Sequence, residues 1–203
     1  MFSFYFTRRR TRPQGLHCTS EFTILKTEIY FENKEGSIMA EMIDLYNRQR
    51  HPLNQTAERG APLSAGCYRV VVTGWIESAK GAFLMVRRKA GPAANDGLWE
   101  APGGGVQAGE TSLAAVLREV KEELGIEPDI KTVKLFSSER QDSAHAFYDV
   151  FLLRADTKLD ELTVNADELA EARWMMPADI DELSRAGLLS PYMRYYEDVV
   201  YPN

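Results

Sequence analysis

The sequence predicts an α+β fold, a mixed sheet with helices packed on it. Three observations carry this: paired runs of alternating apolar residues around turn signals, one strongly periodic helix in mid-chain, and a return to strand patterning behind it. The 203 residues are 44% hydrophobic and 27% charged, which suits one globular core with some extension. No internal repeat or low-complexity tract breaks the pattern.

Residues 1–38 differ from the rest of the chain. They carry Arg8, Arg9, Arg10 and Arg12, then EFTILKTEIYFENKEGSI, which could form one strand but offers it no nearby partner. They are expected to be an appendage, because terminal segments are commonly poorly ordered unless tied down. Two accounts stand open: a basic docking arm, or a start codon assigned too early, the codons of Lys34-Glu35-Gly36 ahead of Met39 being able to spell a purine-rich ribosome-binding sequence. Residues 39–203 form the expected domain.

Within it, residues 41–46 and 51–56 flank the polar stretch NRQR and read as a hairpin. Residues 68–76 and 82–88 form a second strand pair around the turn signal Ser78-Ala79-Lys80-Gly81. The loop KAGPAANDG leads to LWEAPGGGVQAGE and then to a helix over residues 111–124, with Leu113, Val116, Leu117, Val120 and Leu124 at helical spacing and Gly125 as its C-cap. Strands are expected at 131–138, 144–154 and around Arg173-Trp174, and helices near 179–186 and 192–200.

The net charge of -6 argues against a protein that coats nucleic acid, since phosphate binding runs on Lys and Arg. A polyanionic substrate would need a metal or a local basic patch. Cys18 and Cys67 form no CxxC pair, so neither a disulfide framework nor a zinc site is suggested, and a reducing cytoplasm is the default compartment. No apolar run approaches a membrane span, and MFSFYFTRRRTR places its apolar residues before its arginines, the reverse of a secretory signal.

The central helix carries Glu119, Glu122 and Glu123. At about 100° per residue they cover roughly a third of the circumference, on one face beside the apolar stripe and separate from it. A solvated acidic stripe is tolerable, since like-charged neighbours on an exposed helix cost only about 0.2–0.5 kcal/mol per pair and Arg118 relieves Glu122 at i, i+4. Energy alone does not assign these residues a task. Spacing does: Gly104, five residues, Glu110, seven residues, then Arg118-Glu119-Val120-Lys121-Glu122-Glu123-Leu124-Gly125-Ile126. Seven fixed letters and two aliphatic places arise by chance on the order of 10⁻¹⁰ per window, so coincidence is no rival.

This pattern resembles the Nudix box at every specified position, and the likeness extends through Trp99 and Pro102 ahead of it and ELAEARWM behind it. The resemblance implies a mixed sheet sandwiched between helices and a hydrolase dependent on Mg2+, with Mn2+ able to substitute. It implies that Glu122 and Glu123 hold metal together with the Gly104 carbonyl. Glu119 would bind a further ion or activate water, and Arg118 would orient that group with Glu110. In related enzymes a loop before the position of Trp174 carries an additional ligand or base, here Glu168 or Glu171, with Glu168 preferred. The chemistry suits the residues: a diphosphate repels an attacking water, so cations on phosphoryl oxygens and a positioned base are required, and a hard ion takes carboxylate oxygens.

Other residues carry weaker signals. Arg87 and Arg88 end a strand, so alternation points them to opposite faces and one could clamp phosphate. Trp99 is expected to pack in the core, and one of Phe147 and Tyr148 to approach the substrate. His17, His51 and His145 lack ligand spacing. The stretch EMIDLYNRQRHPLNQTAERGAPL also looks similar to the leading hairpin of the Nudix branch related to isopentenyl-diphosphate isomerase. The expected function is therefore metal-dependent hydrolysis of a phosphoanhydride in a nucleoside diphosphate linked to another moiety, the alternatives being an isoprenoid isomerase or a non-catalytic nucleotide sensor. The expected partner is a small-molecule diphosphate, with no nucleic acid, no membrane, and homodimerisation left open.

Overall fold

The computed structural model describes residues 40–92 and 95–202. The arginine cluster, the expected strand before Met39, His17 and Cys18 lie outside the described residues. The leading hairpin forms a sheet of its own, β1 (Met42–Tyr46) against β2 (Pro52–Glu58), antiparallel with Met42 opposite Glu58. The main sheet has seven strands: β3 (Arg69–Glu77), β4 (Phe83–Arg88), β5 (Trp99–Glu100), β6 (Gly103–Gly105), β7 (Lys134–Gln141), β8 (Ala146–Arg154) and β9 (Leu169–Met175). Its path runs β5-β4-β3-β8-β7, with β6 also on β3 and β9 also on β4. Among these strands only β3 and β8 are parallel, from Arg69 opposite Ala146 to Glu77 opposite Arg154, which makes the sheet mixed.

The expected ladder between β3 and β4 is almost absent. They share a single pair, Glu77 with Phe83, after which β4 diverges toward β9 and β5. The vacated edge of β3 accepts β6, with Val71, Val72 and Thr73 opposite Gly105, Gly104 and Gly103. Glycine permits this approach: a Cβ on Gly103 would stand 2.2 Å from the Val72 carbonyl oxygen. The glycine run is thus a strand, and its value here is the missing side chain.

Strand alternation divides the core in two. Val72 and Ile76 of β3, Leu84 and Val86 of β4 and Phe151 and Leu153 of β8 join Val116, Val120 and Leu124 of α1 (Ser112–Leu124). On the other face Trp75, Phe83, Met85 and Val150 meet Ile180 of α2 (Pro177–Arg185) and Tyr196, Val199 and Val200 of α3 (Tyr196–Val200). Helices therefore cover both faces. A side chain at Gly74 would press on Val116 and Leu153 at 3.0 Å, so glycine there lets α1 sit directly on β3. Thr111 caps α1, its side chain accepting from the Ala114 N–H, and Gly125 ends it at φ 71.

Local chemistry shifts several boundaries. Asp129 caps a 3-10 turn at Ile130–Thr132, so β7 starts later than the pattern suggests. The expected last helix is split into a 3-10 turn, Pro191–Met193, and α3. Leu113, counted in the apolar stripe, is 36% exposed because it falls on the outer side of the first turn. Among the described residues no helix is long and apolar enough to cross a membrane.

Candidate active site

The three glutamates of α1 do not share a solvated face. Glu119 and Glu123 are 6% and 3% exposed and belong to the buried side of the helix, whereas the Glu122 side chain is 55% exposed. The i, i+4 pair Glu119 and Glu123 stacks along the stripe that faces the sheet, where β6 supplies room because it has no side chains. A Cβ on Gly104 would lie 2.3 Å from Glu119 Oε1, so that carboxylate occupies the space a side chain would fill. Beside it, the Gly103 N–H donates to Glu123 Oε2 at 3.2 Å.

Arg118 ties this corner together. Its Nε and Nη2 donate to the two oxygens of Glu110, each at 3.0 Å, and Nη2 also donates to the Gly105 carbonyl at 3.0 Å. Nη1 donates to Glu119 Oε1 and Glu122 Oε2, both at 2.9 Å. Burial works against this guanidinium's charge, but Glu110 and Glu119 outweigh it and hold the pKa above the usual arginine value. Burial raises the Glu119 pKa, with Arg118 and Arg59 opposing. Glu123 is raised well above the ordinary value, first by burial and then by the charges of Glu119 and Glu100, with Glu168 adding to them.

The glycine strand that seats these carboxylates also lines a cleft of about 300 Å³. Arg59, Arg69 and Arg88 line it too, a local basic patch on an acidic protein, together with Glu100, Tyr148 and Tyr192. Of the two strand-end arginines, Arg88 lines the cleft and pairs with Asp96 at 3.4 Å and Glu100 at 3.5 Å. Arg87 is engaged elsewhere, with Glu171 at 2.8 Å and over the Trp99 ring at 5.9 Å. Glu171 is no loop residue: it sits in β9 opposite Arg87 and also pairs with Arg173 at 2.6 Å. Glu168 lies at the turn before β9, its backbone carbonyl accepting from the Lys89 N–H, its exposed carboxylate accepting from Asn165 Nδ2 at 3.4 Å.

Phe147 packs in the core with Tyr68, so Tyr148 is the member of that pair that reaches the cleft. Trp99 is 6% exposed in the second core. His51 is exposed, and His145 Nδ1 meets the Cys67 carbonyl at 3.1 Å. Sequence reasoning missed Arg59, Arg69, Glu100 and Tyr192. Alternation along β3 could have grouped Arg69 with Val71 and Thr73, but Arg59 arrives from the separate hairpin sheet and Tyr192 from a distant turn, which no local pattern reports.

Among the described residues no three His, Cys, Asp or Glu side chains converge tightly enough to enclose a metal ion unaided. The donor set nonetheless fits a hard divalent cation. Glu123 is a buried carboxylate crowded by three others, and oxygen is the donor at Glu119, Glu122, Glu123 and the Gly104 carbonyl. An ion that keeps several waters and takes further oxygens from substrate phosphate suits such a partial shell.

A family model described as NUDIX domain matches residues 68–195. A Listeria monocytogenes protein named as an uncharacterised Nudix hydrolase is 31% identical over 150 residues, 73% of this chain and 88% of that protein. An ADP-ribose pyrophosphatase of Methanocaldococcus jannaschii is 34% identical over 130 residues, 62% of this chain and 73% of that one. A crystal structure from Deinococcus radiodurans superposes with a TM-score of 0.66 at 22% identity, covering 79% of this chain and 99% of the other, a likeness of fold.

Proposed function

The chain belongs to the Nudix family of hydrolases, and from that premise we propose that it is a pyrophosphohydrolase that cleaves a phosphoanhydride within a nucleoside diphosphate derivative, using Mg2+ or Mn2+. One observation carries this reading: two buried carboxylates, Glu119 and Glu123, rest on a glycine strand whose residues line an arginine-bearing cleft. A phosphoanhydride needs positive charge on its oxygens and an oriented water, and the two flanks of that strand supply the groups for each.

Glu119, Glu122, Glu123 and the Gly104 carbonyl are the residues that would hold the metal. When bound, it neutralises phosphoryl charge and acidifies coordinated water. Arg118 holds Glu119 and Glu122 in place through its Nη1, and Glu110 in turn holds Arg118. Arg59, paired with Glu41 at 2.6 Å, and Arg88, paired with Asp96 and Glu100, are the cleft-lining guanidinium groups proposed to meet the phosphates, which planar two-pronged donors suit well. Arg87 pairs with Glu171, lies over Trp99 and is not among the residues that line the cleft, so it keeps a structural part. Proton removal from water falls to Glu119 or to Glu168. The electrostatic reach of Glu168 to Glu123 and Arg59 supports including it.

The relative acting on ADP-ribose makes nucleotide sugars a first substrate class to try. A cytoplasmic setting and a small-molecule partner belong to the same reading, with homodimerisation left open. The test is a product screen over nucleotide sugars, dinucleotides, nucleoside triphosphates and isoprenoid diphosphates with Mg2+ or Mn2+, read as phosphomonoester products by chromatography. Metal-dependent release from a nucleoside diphosphate derivative is expected; its absence across the panel would sink the proposal.

A further inference from the structure

The glycine strand runs directly into a tight loop, residues 106–110, which delivers Glu110 to Arg118. What fixes this loop can be followed one backbone N–H at a time. Val106 donates to the Val70 carbonyl at 3.0 Å, Gln107 to Glu110 Oε2 at 3.1 Å, and Glu110 to the Gln107 carbonyl at 3.0 Å. The other two N–H groups go to the leading hairpin. Ala108 donates to the Met42 carbonyl at 2.8 Å, and Gly109 to Asp44 Oδ2 at 2.7 Å. Both acceptors belong to β1, a strand of the separate two-stranded sheet.

A chain of contacts hangs on this loop. Glu110 follows Gly109 and grips Arg118 with both oxygens, and Arg118 in turn holds Glu119 and Glu122 at 2.9 Å each. A shift of Gly109 therefore carries Glu110 with it, and the guanidinium that spaces the two carboxylates follows. Asp44 is half-buried and does not line the cleft, so any influence it has on the site runs through the loop. The hairpin is held independently of that contact, since Tyr46 and Tyr68 exchange backbone bonds of 2.8 and 2.9 Å. Asp44 thus reaches the loop from a strand that is itself fixed. Water can satisfy the Gly109 N–H in its place, but water does not fix where that group lies.

We propose that Asp44 is a positioning residue of the metal site, holding Glu110 through the Gly109 N–H and, through Glu110 and Arg118, setting where Glu119 and Glu122 lie; this rests on the hydrolase reading. Two measurements on the full chain test it without turnover. The first is calorimetric titration with Mn2+ alone. Asp44→Ala should weaken binding about tenfold, the low end for a group outside the metal's own ligands. Asp44→Asn keeps an oxygen acceptor and should stay within about threefold of the unaltered protein, a neutral acceptor being the weaker of the two. The second follows hydrogen exchange of the Arg118 Nε–H by NMR in the metal-free protein. Asp44→Ala should speed it about fivefold or more, and Asp44→Asn should largely restore it. A contact with no bearing on the site would lower the melting temperature and move neither reading, and that result overturns the proposal. So does an Asp44→Asn variant that loses as much as Asp44→Ala. Failure of the hydrolase reading shows separately, as an unaltered protein that binds no Mn2+ while Asp44→Ala still frees Arg118.

Discussion

Arg50, in the turn that joins β1 to β2, is ion-paired through both terminal nitrogens to the carboxylate of Asp149, which is 2% exposed in the middle of β8. The same guanidinium donates to Ser138 of β7 and, at 3.2 Å, to Ser112 at the start of α1, and lies 5.2 Å from the Phe147 ring centroid. Arg50 adopts a left-handed backbone, φ 64, to do so. The hairpin is thereby fastened to the main sheet at its tip, while just past its other end Arg59 reaches the cleft.

Arg50→Ala strands a buried carboxylate and should destabilise the protein by roughly 3 kcal/mol, the low end for breaking such a pair because the arginine is itself part-exposed. Adding Asp149→Asn should recover a good part of the loss, since the uncompensated charge is gone. Urea denaturation of the single and double variants measures this; strictly additive losses would show that the two side chains are not coupled.

The same pair predicts an acid-sensitive component of stability. Burial pushes the Asp149 carboxyl up, but hydrogen bonds from Arg50, Ser112 and Ser138 prevail and leave its pKa below the ordinary 3.8. A depressed carboxylate contributes stability above its unfolded pKa and loses it as the pH falls through the folded value. Unfolding free energy should therefore fall more steeply below about pH 4 in the unaltered protein than in Asp149→Asn. Parallel acid profiles would remove Asp149 as a source.

Much of this was legible from the chain. Alternation located β3, β4 and β8, and the spacing from Gly104 to Ile126 located the helix, its cap and the acidic cluster, because each signal is local. What stayed hidden depended on which strand lies beside which. The glycine run reads as a turn until β3 is seen to drop β4 and take β6, and the acidic face reads as solvated until that glycine strand makes room for Glu119 and Glu123. The arginines of the cleft come from β2's far end, β3 and β4, and only the folded sheet gathers them.

Gly104→Ala should separate fold from activity. Its Cβ would fall 2.3 Å from Glu119 Oε1 and 2.5 Å from its carboxyl carbon, so the carboxylate must move. A displacement of that kind should cost about 10²-fold or more in kcat/KM, while the thermal transition remains cooperative. A variant with normal turnover would show that the position of Glu119 against the glycine strand is irrelevant to catalysis.

Glu122→Gln and Glu123→Gln should both sharply reduce metal-dependent hydrolysis but differ in stability. Burial and the charges of Glu119, Glu100 and Glu168 oppose ionisation of Glu123, so Gln in its place should stabilise the metal-free protein, a familiar exchange of function for stability. Glu122 is largely exposed, and its replacement should leave stability nearly unchanged. Melting without metal and turnover with Mg2+ check the two halves independently; full activity in both variants would withdraw the metal assignment.

The leading hairpin looks similar to that of isoprenoid isomerases, so double-bond migration is the activity that hydrolysis must be tested against. By that resemblance an isomerase needs a cysteine in the glycine region to move a proton on and off carbon. Here the stretch is Ala101-Pro102-Gly103-Gly104-Gly105, and among the described residues no cysteine lines the cleft. Cys67 is not among the residues that line the cleft and lies four residues before Val71, the cross-strand neighbour of Gly105, roughly 13 Å along an extended chain. The buried carboxylates and the Arg118 contacts accord instead with the proposed attack on phosphorus. Isopentenyl diphosphate incubated with the protein and Mg2+ should be recovered with its double bond unmoved, while a nucleoside diphosphate derivative releases phosphate or nucleoside monophosphate. Efficient formation of the dimethylallyl isomer with the diphosphate retained would overturn the hydrolytic assignment.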